Sequence, residues 1–476
     1  MASTDAIVVG SGPNGLAAAI TLAKAGRSVT VLEANDTIGG ACRSAELTEP
    51  GFVHDLGSSI HPMVKASPFF QSIGDDLARH GLEWVLPPAA AAHPIDGGRA
   101  GVAWNSLDET AARLGTDGEA YRRYYSRFVD RIDTLIDLLL NPVIRVPPSP
   151  LFSARFGIAS ALPAKTSAER TFATDEAQGL FLGHAAHAIL PLTGPFTSAV
   201  GILMGTLAHS YGWGFPAGGA QSLITAMTGL LEELGGTVRT GELVTSIDEL
   251  PPSEAVILAL TARQVESIAG RKFPDRYRKS LRSFRYGPGA CKVDFALDEP
   301  IPWTNADVAS AGTVHLGGTA DEIVTAEQAV ADGKHPDRPF VLLAQHTMFD
   351  STRAPAGKHT AWAYCHVPNG STVDQTEAIT RQIERFAPGF RDIVRSSHTT
   401  TTPQLEAGNA NLVGGDIGGG SYGGRQLLFR PRPQANPYTT PDERIFIASA
   451  SASPGAGVHG MAGAGAARRA LRTKLA

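Results

Sequence analysis

Near the start of the chain, Gly10-Ser11-Gly12-Pro13-Asn14-Gly15 is followed 23 positions after Gly10 by an acidic residue, Glu33. These residue types at this spacing can hold a dinucleotide. Gly10 permits a tight turn, Gly12 lets a pyrophosphate approach the backbone, and Gly15 lets the next helix pack closely. The amides opening that helix then face the phosphates, and Glu33 accepts from ribose hydroxyls, which disfavours a 2′-phosphate. The motif gains its specificity from context. Residues 6–10 read as a buried strand and 14–25 as a helix with Leu16, Ala19, Ile20 and Ala23 on one side. Residues 27–32, rich in β-branched types, read as a second strand, so the first 33 residues form the parallel crossover that opens an α/β domain.

A second glycine pair, Gly39-Gly40, comes directly after Glu33-Ala34 and precedes Ala41-Cys42-Arg43-Ser44. This resembles the extended FAD fingerprint of the glutathione-reductase-like flavoproteins. Further on stand Asp55-Leu56-Gly57-Ser58-Ser59-Ile60-His61-Pro62, the segment 212–219 ending in Pro-Ala-Gly-Gly, and the glycine-rich run 453–467 that enters a helix. Together they resemble the phytoene-desaturase-related flavoproteins of the amine oxidase superfamily, in the branch of the retinol saturases and the pyridine-nucleotide-disulfide-oxidoreductase-domain proteins. Residues 408–433, with Gly415-Asp416 and Leu428-Phe429-Arg430-Pro431-Arg432-Pro433, strengthen that branch.

The resemblance implies FAD as cofactor. It assigns Gly10, Ser11, Gly12, Pro13, Asn14, Gly15, Glu33, Ala34, Gly39, Gly40, Arg43, Gly57 and Ser58 to the dinucleotide, and Val244 to main-chain contact with the adenine. Gly455, Gly457 and Val458 would bring amides to the flavin pyrimidine, where a helix start stabilises developing negative charge. Many relatives carry an Asp shortly before that last glycine turn, whereas this chain reads Ala448-Ser449-Ala450-Ser451-Ala452. Serine hydroxyls can substitute.

Lys292 lies in an alternating segment, 291–297, that suits a half-buried antiparallel strand of a second sheet. It resembles the flavin-facing lysine of amine oxidases, which holds a water and assists hydride transfer or oxygen reactivity. The competing expectation is a lysine reaching solvent from an exposed strand face. His61, His184, His187, His209 and His459 can move protons, and none is singled out as a base. No metal-ligand spacing or Ser-His-Asp order is present, and Cys42, Cys291 and Cys365 are far apart in sequence, which excludes a disulfide framework and dithiol redox chemistry.

These residues require a scaffold of two interleaved parts. The fold class expected is α/β: a Rossmann-like FAD-binding domain from residues 1–70, 212–285 and 405–476, and a substrate domain of mixed sheet plus helices from 71–211 and 286–404. Within it, residues 119–140 read as a polar helical stretch, 221–234 as a helix, 237–247 and 255–260 as strands, 445–448 as a strand and 461–471 as a helix. With 476 residues and a net charge of −5, the chain is no strongly basic nucleic-acid binder. No Asp, Glu, Lys or Arg occurs from Ala177 to Leu231, but Pro191, Pro195, Pro216 and many glycines break that run. It reads as the wall of an apolar chamber and not as a membrane span, with peripheral membrane contact allowed.

The start of the chain lacks the pattern of a secretory signal, and a cytoplasmic location is expected. The function implied is hydride transfer from a hydrophobic, polyene or lipid-like substrate to flavin N5, with oxygen, a quinone or a nicotinamide as acceptor. Two alternatives are an oxygen-using amine oxidase and a non-catalytic lipid carrier of the GDP-dissociation-inhibitor type.

Overall fold

In the computed structural model, residues 4–142 and 145–476 are described. Met1 to Ser3, where the expectation of no leader begins, lie outside them. A five-stranded parallel sheet runs in the order Ile445–Ile447, Ala255–Leu258, Ala6–Val9, Val29–Leu32, Thr237–Arg239. Its inner strands are short and apolar because helices cover both faces, the usual condition of a parallel sheet. The first helix, Pro13–Lys24, lies against the last, Met461–Leu471, at a distance only small residues allow: a Cβ on Gly463 would stand 1.8 Å from the Asn14 carbonyl oxygen.

Residues 237–247 do not form one strand as expected. Only Thr237–Arg239 pairs, with residues 30–32. Gly241, at φ +69°, turns the chain out of the sheet, and the Glu242 amide donates to the Glu33 carbonyl at 2.8 Å. Residues 242–245 thereby border a cavity.

A second, seven-stranded sheet is mixed. Its order is Val394–Thr400, Gly289–Leu297, His359–Val367, Val341–Ala344, Ala311–Leu316, Ala89–Ile95, Arg99–Trp104, antiparallel throughout except where Ala311–Leu316 meets Ala89–Ile95. The strand carrying Lys292 is buried on both faces, not half-exposed. Cys291, Val293, Phe295 and Leu297 pack with Ile379, Ile383, Phe386 and Phe390. The face with Lys292 and Asp294 turns to the interior, where other charged and polar groups meet it, so alternation here marks a polar interior. Cys291 and Cys365, remote in sequence, are register partners on adjacent strands, and both are free thiols.

The uncharged stretch folds mainly into three helices, Asp175–Ala186, Thr197–Ser210 and Ala220–Glu233. The first lies directly on the mixed sheet: a Cβ on Gly183 would stand 2.6 Å from His315 Nδ1. Residues 119–140 form two helices, Gly118–Val129 and Ile132–Leu139. Among the described residues, no helix is long and apolar enough to cross a membrane.

Candidate active site

One continuous cavity of about 1110 Å³ joins the carboxyl ends of the inner strands of the parallel sheet to the inner face of the mixed sheet. That exceeds the roughly 300–1,000 Å³ of a pocket for one drug-sized ligand. At one end lie Gly10 to Gly15, Glu33, Ala34, Gly40, Gly57, Ser58 and Val244. Gly12 is the N-cap of the first helix, and no side chain caps it. A Cβ on Gly15 would stand 1.9 Å from the Gly10 carbonyl oxygen, so that glycine serves packing. A Cβ on Gly12 would meet nothing nearer than the Gly40 Cα at 3.8 Å and would occupy open space above the helix start. Backbone amides thus face a cradle shaped for an anion.

Glu33 is fixed before any ligand arrives. Its Oε2 accepts from the Ser11 amide at 3.0 Å and the Ser11 hydroxyl at 2.6 Å, and its Oε1 from the Asn35 amide at 3.0 Å. Burial opposes its ionisation, but these donors prevail and hold its carboxyl below the usual glutamate value.

Gly39, Arg43 and Gly455 stand behind the lining and not in it. The Gly39 amide donates to Ser11 Oγ at 3.0 Å, and Arg43 donates to the Gly40 and Gly408 carbonyls at 2.9 and 2.8 Å, fastening the glycine pair beneath the cradle. Gly457 and Val458 line the cavity in the loop before the last helix, which begins only at Met461. His459 is structural: its Nδ1 accepts from the Met461 amide at 3.1 Å, and burial lowers its pKa to about 4. Ser449 and Ser451 line the cavity in the turn that precedes this loop. Asp416 lines it too, and its carboxylate gathers the amides of Gly287, Gly418 and Gly420 at 2.7 to 2.9 Å.

Asp55 ties the mixed sheet to the start of the helix Ala220–Glu233. Its Oδ1 accepts from the Ser44 hydroxyl and the Ala220 amide at 2.7 and 2.8 Å, and its Oδ2 from Arg353 at 2.7 Å and Ser59 at 2.5 Å. Its carbonyl accepts from Lys292 Nζ at 2.9 Å and Trp362 Nε1 at 3.0 Å. Burial works against ionisation, yet Arg353, His346 and these donors hold the Asp55 carboxyl far below its usual range. Lys292 lines the cavity and forms a buried ion pair with Asp294. Burial pushes the Asp294 carboxyl up, and the Lys292 ammonium opposes this.

Residues 8–75 match the family of NAD(P)-binding Rossmann-like domains. Along 98% of its length the chain is 25% identical to the mouse pyridine nucleotide-disulfide oxidoreductase domain-containing protein 2, covering 93% of that protein. It is 28% identical to a phytoene dehydrogenase of Streptomyces griseus over 81% of this chain and 76% of that one. The chain is thus similar along most of its length to phytoene-desaturase-related oxidoreductases. Its fold is that of a putrescine oxidase redesigned for cofactor binding, with a TM-score of 0.63 at 17% identity over 100% of this chain and 99% of the other.

In this oxidoreductase the other end of the cavity is apolar. Leu138, Leu139, Leu140, Phe156, Ile189, Phe196, Val200, Leu203 and Met204 form its walls. Ile189 and Phe196, at φ 53° and 67°, are its positive-φ residues other than glycine among those described, and both line this chamber. Of the five histidines that the sequence offers as proton carriers, His61, His187 and His459 line the cavity. His209 bonds Tyr121 at 2.9 Å, and His184 is buried behind the wall. No group of three or more His, Cys, Asp or Glu among the described residues could hold a metal.

Asp55, Asp294, Arg353, Trp362 and Tyr364 belong to the site without any signal in the sequence that singles them out. Asp55 stands within the run 55–62, but its partners Lys292, Arg353 and Trp362 lie 237 to 307 residues away, beyond the reach of local pattern.

Proposed function

We propose that the protein is an FAD-dependent oxidoreductase that takes a hydride from a hydrophobic substrate. The observation that carries this reading is the single cavity running from the pyrophosphate cradle to the apolar chamber, with Lys292 lining it. The cradle fits FAD. Its open space lies above Gly12, its amides and the Ser58 and Ser449 hydroxyls offer donors, and Glu33, fixed by Ser11, presents a carboxylate to a ribose. Bound FAD supplies the two-electron acceptor, which no side chain of this protein provides.

The chain's own residues bind, orient and exclude water. The cradle anchors the pyrophosphate, the loop through Gly457 and Val458 presents backbone to the cavity, and the apolar walls keep water from the reacting carbon. Lys292, held by the Asp55 carbonyl and Asp294, places an amine at the junction of the two ends of the cavity. Leu151, Ile158 and Phe196, exposed at 65%, 74% and 46%, support entry of the substrate from an apolar phase, since Phe196, Phe156 and Gly157 line the cavity beside them. An amine as substrate is less well served: no Asp or Glu lines the apolar end among the described residues. A carrier without flavin leaves the glycine cradle without a purpose.

The test is cofactor content. Gly12→Val retains the fold, because Gly12 has an ordinary φ of −65° and room for a Cβ, while its methyls fill the pyrophosphate space. Its FAD occupancy, measured by absorbance after denaturation, falls at least about tenfold, the loss of roughly one well-placed phosphate contact. Full occupancy in the variant, or no flavin in the parent protein, would overturn the reading. Anaerobic bleaching of the flavin by apolar alcohols, polyenes or amines then identifies the substrate class, and the choice of reoxidant identifies the acceptor.

A further inference from the structure

We propose that the end of the chamber remote from Lys292 binds an uncharged oxygen-bearing head group, a hydroxyl or carbonyl, on an otherwise apolar substrate. This rests on the hydrophobic-substrate reading above and narrows it. The mixed sheet supplies the floor and a ruler. Lys292 is the register partner of Tyr364, Tyr364 of Leu342, and Leu342 of His315, so these four form one row across four adjacent strands. Three interstrand steps of about 4.8 Å put His315 roughly 14 Å from Lys292 along the floor. The parallel row one pleat over runs Asp294, Trp362, Ala344, Thr313.

Polar groups that lack partners collect at the far end. Thr313 lines the cavity at 1% exposure, and its hydroxyl has no hydrogen-bond partner among the described residues. His187 also lines it, with Nε2 3.0 Å from His315 Nε2. Behind them, His315 Nδ1 and both ring nitrogens of His184 are buried without hydrogen-bond partners among the described residues. Buried polar atoms left unpaired are costly, and an unpaired hydroxyl on the wall of an apolar cavity marks where a ligand or a water supplies the bond.

The chemistry of that head follows from the neighbouring charges. The imidazoles are neutral, since burial lowers His187 to about 3 and holds His184 and His315 well below the usual histidine value. No Lys or Arg lines this end to meet a carboxylate, and no Asp or Glu lines it to meet an ammonium, among the described residues. Glu327, a buried carboxylate on the helix Ala320–Ala331, is engaged by His366 Nδ1 at 2.8 Å. Neutral imidazole and threonine both donate and accept, which suits a hydroxyl or carbonyl oxygen.

The experiment is a competition series on the flavin-loaded protein, in which hexadecane, hexadecanol, hexadecanal, hexadecanoate and hexadecylamine displace a fluorescent apolar probe. The alcohol and aldehyde bind about tenfold more tightly than the hydrocarbon, the value of one buried hydrogen bond. In Thr313→Val and His187→Leu that ratio falls to about one, while hexadecane binds as before and FAD content is unchanged. Thr313→Ser keeps the discrimination, which shows that the hydroxyl, and not packing, provides it. Equal binding of alcohol and hydrocarbon to the parent protein would mean that water satisfies Thr313, and the proposal falls while the apolar chamber stands. Tightest binding of the acid or the amine overturns it as well. Failure of every compound to displace the probe removes the chamber reading itself, and the proposal with it.

Discussion

At the scale of single residues, the pair formed by Lys292 and Asp294 decides the character of the cavity junction. Both side chains are almost wholly buried, at 4% and 0% exposure, and both sit on the inward face of one strand. A buried pair adds little net stability, but removing one partner strands the other charge in a low-dielectric site. Asp294→Asn is therefore expected to cost about 3–5 kcal/mol in denaturant unfolding. The double variant Lys292→Met with Asp294→Asn costs less than the sum of the two single variants, by a coupling energy of about 1–3 kcal/mol in a double-mutant cycle. Additive losses would show that the two residues act independently. Lys292 is legible in the sequence as an amine on an alternating strand. Its counter-ion is legible only as a residue type two positions on, because alternation does not say whether the polar face meets water or an interior charge. The Asp55 carbonyl that also holds it is out of reach of any local pattern.

At the scale of elements, the first and last helices are locked by glycine. The opening strand, helix and strand are readable because every signal in them is local: a period of 3.6, β-branched runs and a glycine turn. The helix 461–471 is readable for the same reason and begins and ends as expected. What no local signal carries is that Gly463 must touch the carbonyl of Asn14. Residues 237–247 mislead because Thr, Val and Ile keep strand composition past the point where Gly241, at φ +69°, leaves the sheet. Two glycines give opposite expectations. Gly463→Val forces the helices apart, and since overpacking costs about 1–3 kcal/mol even where backbone need not move, the loss is expected at or above that range, with weakened FAD retention. Gly157 lies inside the helix Pro150–Ala161, and a methyl added there would meet nothing within 4 Å among the described residues, so Gly157→Ala is expected to raise stability by about 0.5–1 kcal/mol. Thermal melting of the two variants beside the parent checks both signs, and equal effects would remove glycine packing as the reason the helices meet.

At the scale of the whole molecule, the two sheets and the chamber between them are held with many histidines buried and neutral. Burial is the largest cause in each case, lowering His61, His93, His209 and His459 to about 4, and His54 and His187 to about 3, from an ordinary 6.5. The sign follows from proton counting. An unfolded chain takes up protons on these groups as pH drops through about 6.5, while the folded chain refuses them until about 4, so the unfolded state binds more protons across that window. Their contribution is complete above about pH 6.5 and is lost as pH falls, each group steepening the decline by up to about 1.4 kcal/mol per pH unit. Asp55 adds the same sign lower down, because its depressed carboxyl favours the fold only above its ordinary value near 3.8. Since these residues lie in both parts of the molecule, the loss is global and not confined to one loop. Denaturant unfolding between about pH 7 and pH 4.5 is expected to show stability falling by several kcal/mol, with a slope steeper than one proton can produce. A flat profile over that range would mean that the histidines are solvated or already charged in the folded protein, and the neutral lining of the chamber would have to be abandoned.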